Sequence, residues 1–172
     1  KDSWPCDRVA SELKDWDITD VLEIGPGKGI LTKALLQKDL HVTAVEKDPR
    51  FFDYLSTEDD ITRNHLVEGN LELINEDILT YLSESILNFD YFVSTDVFIY
   101  VGDLSEVFRL IKLCNKKTGK LVFSTEHLEG EGYILEKSGR YSHSKKYIEG
   151  LSEEFGFKLI ECQIVFLISC IF

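Results

Sequence analysis

Runs of four to six β-favouring residues alternate along this chain with stretches whose apolar positions recur every three or four residues. A strand pattern at 21–24 is followed by helical spacing at Ile30, Leu31, Ala34 and Leu35. Residues 40–45 predict a second strand, and Asp48 as N-cap with Pro49 at the first helical position opens a helix through Phe52 and Leu55. The polar residues 56–69 predict a connection or a short helix. Strands are expected at 71–75 and 89–94, with a helix over 78–87 between them, and the near-continuous apolar character of 89–94 suits burial on both faces. Leu104, Val107, Phe108, Leu110 and Ile111 make the stripe of a further helix; Thr118 and Gly119 then end the connection to a fifth strand at 120–125. Residues 126–143 read as loop, and Ser144 as the N-cap of a helix carrying Tyr147, Ile148, Leu151 and Phe155.

The two ends break this rhythm. Trp4, Val9, Leu13 and Trp16 are spaced for a short amphipathic helix packed on the sheet edge. Residues 157–172 are apolar and too many for an average strand, yet no Gly, Pro, Asn or Asp follows Lys158 to turn the chain. They predict either one unusually long strand or two strands whose connection is missing near 164–166. Five strand-to-helix alternations predict an α/β fold: a Rossmann-like open, mostly parallel sheet with helices on both faces, finished by an antiparallel C-terminal strand. The 172 residues fit one domain, an N-terminal helix at 1–17 and a core at 18–172.

One corner carries chemistry. Gly25, Gly27 and Gly29 alternate between the first strand and its helix, where glycine lets the backbone turn tightly, lets a ligand approach the main chain and lets the helix start close to the strand. A plain flexible turn would also use such residues. Glu23, two residues before the first glycine, and Glu46, at the end of the second strand, favour a nucleotide-handling corner instead.

Composition excludes several classes. No apolar run approaches the roughly 20 residues that span a bilayer, and the tail at 164–172 is too short, so no membrane partner is expected. Cys6, Cys114, Cys162 and Cys170 form no C-x-x-C pair and no ligand spacing with the four histidines, so no metal is expected and a reducing, cytoplasmic location is the simpler expectation. The chain starts at Lys1 rather than Met, and no signal peptide is recognisable in it. A formal net charge of −12 argues against a sequence-independent nucleic-acid binder. Between Arg109 and Tyr147, however, nine Lys and Arg stand against four acidic residues, either as a solvated face or as a patch for phosphates.

Taken together, Glu-x-Gly-x-Gly-x-Gly at 23–29, Glu46 closing the second strand and Glu76-Asp77-Ile78 after the third resemble the class I S-adenosylmethionine-dependent methyltransferases over essentially the whole chain. The resemblance implies S-adenosylmethionine as cofactor. Gly25, Gly27 and Gly29 would face its methionine portion, Glu23 its ammonium, Glu46 both ribose hydroxyls, Asp77 the adenine amino group and Ile78 the ring. Lys47, Thr95 and Asp96 would complete that set. Each carboxylate also has a structural alternative: Glu23 as a strand-end charge, Glu46 paired with Lys47, Asp77 as a helix cap. The first half is most similar to the ribosomal RNA adenine dimethyltransferases. Those enzymes carry Asn-Leu/Ile-Pro-Tyr/Phe after the fourth strand, where this chain has Thr95-Asp96-Val97-Phe98. The second half, from Ser94 through Ser138-Gly139-Arg140-Tyr141-Ser142-His143-Ser144, looks more like the small-molecule-type methyltransferases.

Methyl transfer from a sulfonium needs chiefly alignment of the acceptor, with a base where the acceptor must lose a proton. His127, past the fifth strand, and His143, ahead of the last helix, fall where open α/β sheets place ligands, and Tyr100 and Tyr141 are placed to orient a substrate. Three readings follow: a methyltransferase acting on an O or N atom of a small-molecule or protein acceptor, an RNA adenine-type methyltransferase, or a catalytically silent cofactor-binding regulatory domain. Oligomeric state is left open by the sequence.

Overall fold

The computed structural model describes Val9 and residues 19–84, 87–164 and 167–171. The expected N-terminal helix lies outside these residues except for Val9, which is helical and buried with Leu31 and Leu35. In chain order the elements are β1 (Asp20–Ile24), α1 (Ile30–Leu36), β2 (His41–Val45), α2 (Pro49–Asp53) continued by a π-helical turn (Tyr54–Glu58), α3 (Asp60–Glu68), β3 (Leu71–Ile74) and α4 (Ile78–Glu84). Then come β4 (Phe89–Ser94), a 3₁₀ turn (Phe98–Tyr100), α5 (Ser105–Cys114), β5 (Asn115–Leu128), β6 (Tyr133–Leu135), β7 (Tyr141–Ser144), α6 (Lys145–Glu154), β8 (Glu161–Ile164) and β9 (Leu167–Ile171).

Five strands lie parallel in the order β3-β2-β1-β4-β5. Their sequences lack polar alternation because both faces are covered. On one face Leu22, Ile24, Phe92 and Phe123 pack with Phe98, Phe108 and Ile111; on the other Val21, Val42, Tyr91 and Val93 pack with Leu31 and Leu35 of α1. Chain order reverses between β1 and β4, which opens a crevice at the carboxyl ends of these strands.

Cap chemistry was legible: Asp48 accepts from Arg50 N at 2.9 Å, and Ser144 from Tyr147 N at 3.1 Å. The polar 56–69 stretch contains a true helix, α3, capped by Asp59 on Thr62 N and closed by Gly69 in the left-handed region. Asp59 also takes Lys33 Nζ at 2.7 Å, tying α1 to α3.

Three differences from the sequence expectations lie beyond β4. First, β5 extends well past 120–125 at both ends, with an irregularity in its pairing where it passes Phe89 to Tyr91. Its segment Val122–Glu126 pairs antiparallel with β9, and Glu126–Leu128 pairs parallel with β7. Second, the expected loop at 126–143 contains the β6–β7 hairpin, turned at Gly139 with φ 81°. Third, the C-terminal stretch is two antiparallel strands, β8 and β9; the expected antiparallel strand is β9, on β5. The suspected gap near 164–166 falls largely on residues 165 and 166, outside the described residues. Among the described residues no helix is long and apolar enough to cross a membrane.

Candidate functional site

The crevice is a cleft of about 1090 Å³ over the carboxyl ends of β1 to β4. Its floor is the loop after β1. Gly25 (φ 68°) turns the chain there, its N–H donating to Val45 O at 2.9 Å, and a Cβ at this position would run into Val97. Gly29 (φ 72°) precedes α1 with Leu55 so close that a Cβ would stand 2.7 Å from Leu55 Cδ2. Gly25→Ala is therefore expected to lower stability by about 2 kcal/mol, from the left-handed backbone and the overlap together. Urea unfolding checks this; an unchanged midpoint with an unchanged slope would remove the steric role.

Glu46 is 7% exposed and lines the cleft. Its Oε2 accepts from Gly27 N at 3.0 Å and its Oε1 from Asp48 N at 2.8 Å, so one carboxylate fixes the glycine loop and the start of α2 together. Each oxygen retains acceptor capacity for a ligand. Lys47 does not pair with Glu46: its Nζ crosses to Asp77 Oδ2 at 3.0 Å. Asp77 Oδ1 accepts from Leu79 N at 2.9 Å, the helix-cap alternative realised within the cleft. Burial pushes the Asp77 carboxyl up, but Lys47 and the Leu79 amide outweigh it and hold the group below its ordinary value.

Glu23 is 2% exposed, on the strand face turned toward α1, and does not line the cleft. Its Oε2 has no hydrogen-bond partner among the described residues. Burial pushes its pKa up to about 7; Thr32 offsets part of this, and the nearby negative charge of Glu46 adds to it.

Gly25, Gly27, Glu46, Lys47, Asp77, Ile78, Thr95, Asp96 and Tyr100 thus come together on one cleft, and Glu23, Gly29, His127 and His143 are not part of its lining. His143 is 0% exposed: its Nδ1 meets Thr125 Oγ1 at 2.6 Å and its Nε2 the Gly102 carbonyl at 2.9 Å. The carbonyl can only accept, so Nε2 carries the proton and Nδ1 takes the Thr125 hydroxyl, which leaves neither nitrogen for a substrate. Burial lowers its pKa. His127 is its neighbour in the β5–β7 pairing, and Tyr141 packs beside Gly102. Sequence reasoning missed Phe51 and Val97 on the cleft wall. The available signal was position: α2 starts three residues after Glu46, so its first turn overhangs the strand ends.

Residues 7–106 match the family model described as ribosomal RNA adenine dimethylase. The chain belongs to the ribosomal RNA adenine dimethylase family. Relatives of this chain include the ribosomal RNA small subunit methyltransferase A of Mycobacterium sp. strain KMS, 44% identical over 68 residues, covering 40% of this chain and 23% of that protein. The enzyme of the same description from Porphyromonas gingivalis is 34% identical over 110 residues, 58% of this chain and 40% of that one. The chain therefore spans less than half the length of these curated relatives. Among solved structures, magnesium protoporphyrin IX methyltransferase from Synechocystis PCC 6803 shares the fold, with TM-score 0.75 and 15% identity over 98% of this chain and 81% of that one.

Two features of the chain bear on the acceptor. Phe98, at the position where the resemblance places a base-stacking aromatic, is 1% exposed and packs on Phe123 with ring centroids 5.0 Å apart. In the basic segment Arg109 pairs with Glu106, Arg140 with Glu126, Lys145 with Glu149 and Lys146 with Glu131, while Lys112 donates to Gly156 O.

Proposed function

We propose that this chain is the cofactor-binding and catalytic core of an S-adenosylmethionine-dependent methyltransferase that acts on an O or N atom of a small-molecule or protein acceptor. The observation that carries the reading is the placement of Glu46 and Asp77 at successive strand ends of one cleft floored by the glycine loop. S-adenosylmethionine, when bound, supplies an electrophilic methyl group on sulfur. Glu46 has acceptor capacity for two ribose hydroxyls. Asp77 and Ile78 suit an amino group and a flat ring. The unpartnered Oε2 of Glu23, at the strand end that feeds the loop, is the kind of buried atom that an ammonium would satisfy.

The acceptor half of the reading rests on Phe98 and Thr95. A core-packed phenylalanine offers no ring face to a base, and threonine lacks the amide that would accept from an adenine amino group. The second reading, an RNA adenine-type methyltransferase, is favoured by the family match over 7–106 and by the names of the relatives.

Calorimetric titration with S-adenosylhomocysteine tests the cofactor assignment, which expects saturable one-site binding and fails without it. Binding to a structured RNA, measured against salt, separates the acceptors. The RNA reading requires several released counterions, a log–log slope steeper than about −3, whereas the preferred reading expects a slope shallower than about −1 or no binding.

A further inference from the structure

We infer that the acceptor end of this cleft is built for an amine, held between the Asp96 carboxylate and the ring of Tyr100. The inference rests on the methyltransferase reading and goes beyond it, to the substrate class. Sheet order supplies the direction. Asp77 stands at the end of β3, Glu46 at the end of β2 and the glycine loop at the end of β1, so a ligand laid along these points directs its far end at β4. The segment that follows β4 meets it there: Val97 packs against Gly25, and Thr95, Asp96 and Tyr100 line the same cleft.

Asp96 is held in an uncommon conformation. Its φ is 58°, in the left-handed region, and its N–H donates to Ser124 Oγ at 3.0 Å, which pins the residue to β5. Glu46 spends its oxygens on backbone amides, and Asp77 divides its own between an amide and Lys47. The Asp96 side chain is exposed and takes no hydrogen bond or ion pair from the described residues. Tyr100 is 61% exposed, and its hydroxyl lies within reach of Arg140, itself anchored on Glu126 at 3.1 Å. A carboxylate with open lone pairs beside an exposed tyrosine ring suits an ammonium or amine, which donates to the one and lies over the other. A hydroxyl could donate to the carboxylate but brings no positive charge for the carboxylate and the ring face to attract. Of the cations on the cleft, Arg50 is paired with Asp48 and Lys47 with Asp77; Lys28, on the glycine loop, is the group that would instead favour a carboxylate.

Methylation of such an amine balances simply. The ammonium gives one proton to solvent, the nitrogen lone pair forms the new N–C bond as the S–C bond breaks, and the S–C electron pair stays on sulfur as a thioether. The product nitrogen is left as a methylated ammonium. Asp96 orients the amine through its remaining N–H and is not required to hold the proton.

Benzylamine, benzyl alcohol and benzoate form a matched set of probes, titrated by ligand-observed NMR onto the protein saturated with S-adenosylhomocysteine. Each variant's saturation is confirmed by its own cofactor titration. Benzylamine is expected to bind about tenfold more tightly than the other two, and Asp96→Asn and Tyr100→Ala each to remove most of that preference, with Tyr100→Phe keeping it. Equal binding of the three probes, a preference for benzoate, or an unaltered preference in Asp96→Asn overturns the amine assignment and leaves the cofactor reading intact. So does loss of S-adenosylhomocysteine binding in Asp96→Asn, which would move the residue to the cofactor. Failure of the wild-type protein to bind S-adenosylhomocysteine overturns the methyltransferase reading itself.

Discussion

Glu46→Ala is expected to weaken S-adenosylhomocysteine binding by at least about a hundredfold, because two charge-assisted hydrogen bonds of about 1.5–3 kcal/mol each are lost with it. The substitution acts twice. It removes the proposed acceptor for the ribose, and it frees Gly27 N and Asp48 N, which the two carboxylate oxygens now hold at 3.0 and 2.8 Å. Glu46→Gln separates the two effects only in part. Its amide must turn its NH₂ toward one of those backbone donors, so the loop loses an anchor even though the size is kept. The glutamine variant should therefore also lose affinity, by about tenfold, the worth of one such hydrogen bond. Calorimetry on both variants is the measurement, and an alanine variant with wild-type affinity would remove Glu46 from the ribose site.

The second large effect concerns pH. The Glu23 carboxyl has an ordinary value of 4.5 and is pushed up to about 7 in the folded chain, chiefly by burial. The folded protein thus holds a proton that the unfolded chain releases between those values. The stabilising contribution is complete below pH 4.5, is lost as pH rises through about 7, and stays lost above it. Integrated over that shift it amounts to about 3 kcal/mol. Glu23→Gln cannot ionise, so urea unfolding should find it more stable than the wild type at pH 8 by up to about 3 kcal/mol and nearly equal to it at pH 4.5. Parallel pH dependences of the two proteins would mean that the carboxylate is already balanced in the fold. On the proposed placement of the cofactor's ammonium at Glu23, saturating S-adenosylhomocysteine would shrink the gap at pH 8, because a nearby cation favours the charged carboxylate.

The strand-and-helix half of this architecture was legible because each signal was local. Asp48-Pro49 and Ser144 cap the helices they announce, and the glycine loop with Glu46 and Asp77 lands on one cleft through strand order alone. What escaped the sequence depends on long-range pairing. The β6–β7 hairpin is three and four residues long, and its Tyr133, Ile134 and Leu135 are exposed, so no alternation of burial betrays it. Strands β8 and β9 have none of the usual turn residues between them in the sequence, and β9 is paired with β5 as well as with β8. His143 shows the same limit at the level of chemistry. A histidine near the strand ends invites a role as base, and only the positions of Thr125 and Gly102 reveal that both its nitrogens are already used. Phe98 and Tyr100, two residues apart, part in the same way: the first enters the core and the second faces the cleft.

β5 is divided between two partners, β9 along Val122–Glu126 and β7 along Glu126–Leu128. Glu126 is the last residue that β9 holds and the first that β7 holds; from it onward the hairpin is joined to β5 through three residue pairs. That outer piece brings Arg140 to Tyr100, whereas Glu46, Asp77 and the glycine loop rest on the interlocked parallel strands. β7 is fastened to the core by buried His143, bonded to Thr125 and Gly102, while Tyr133, Ile134 and Leu135 of β6 are exposed. On the proposed methyltransferase reading, changes along exposed β6 and at Arg140 would reshape the acceptor wall at little cost to the core, leaving the strands proposed to hold the methyl donor as they are.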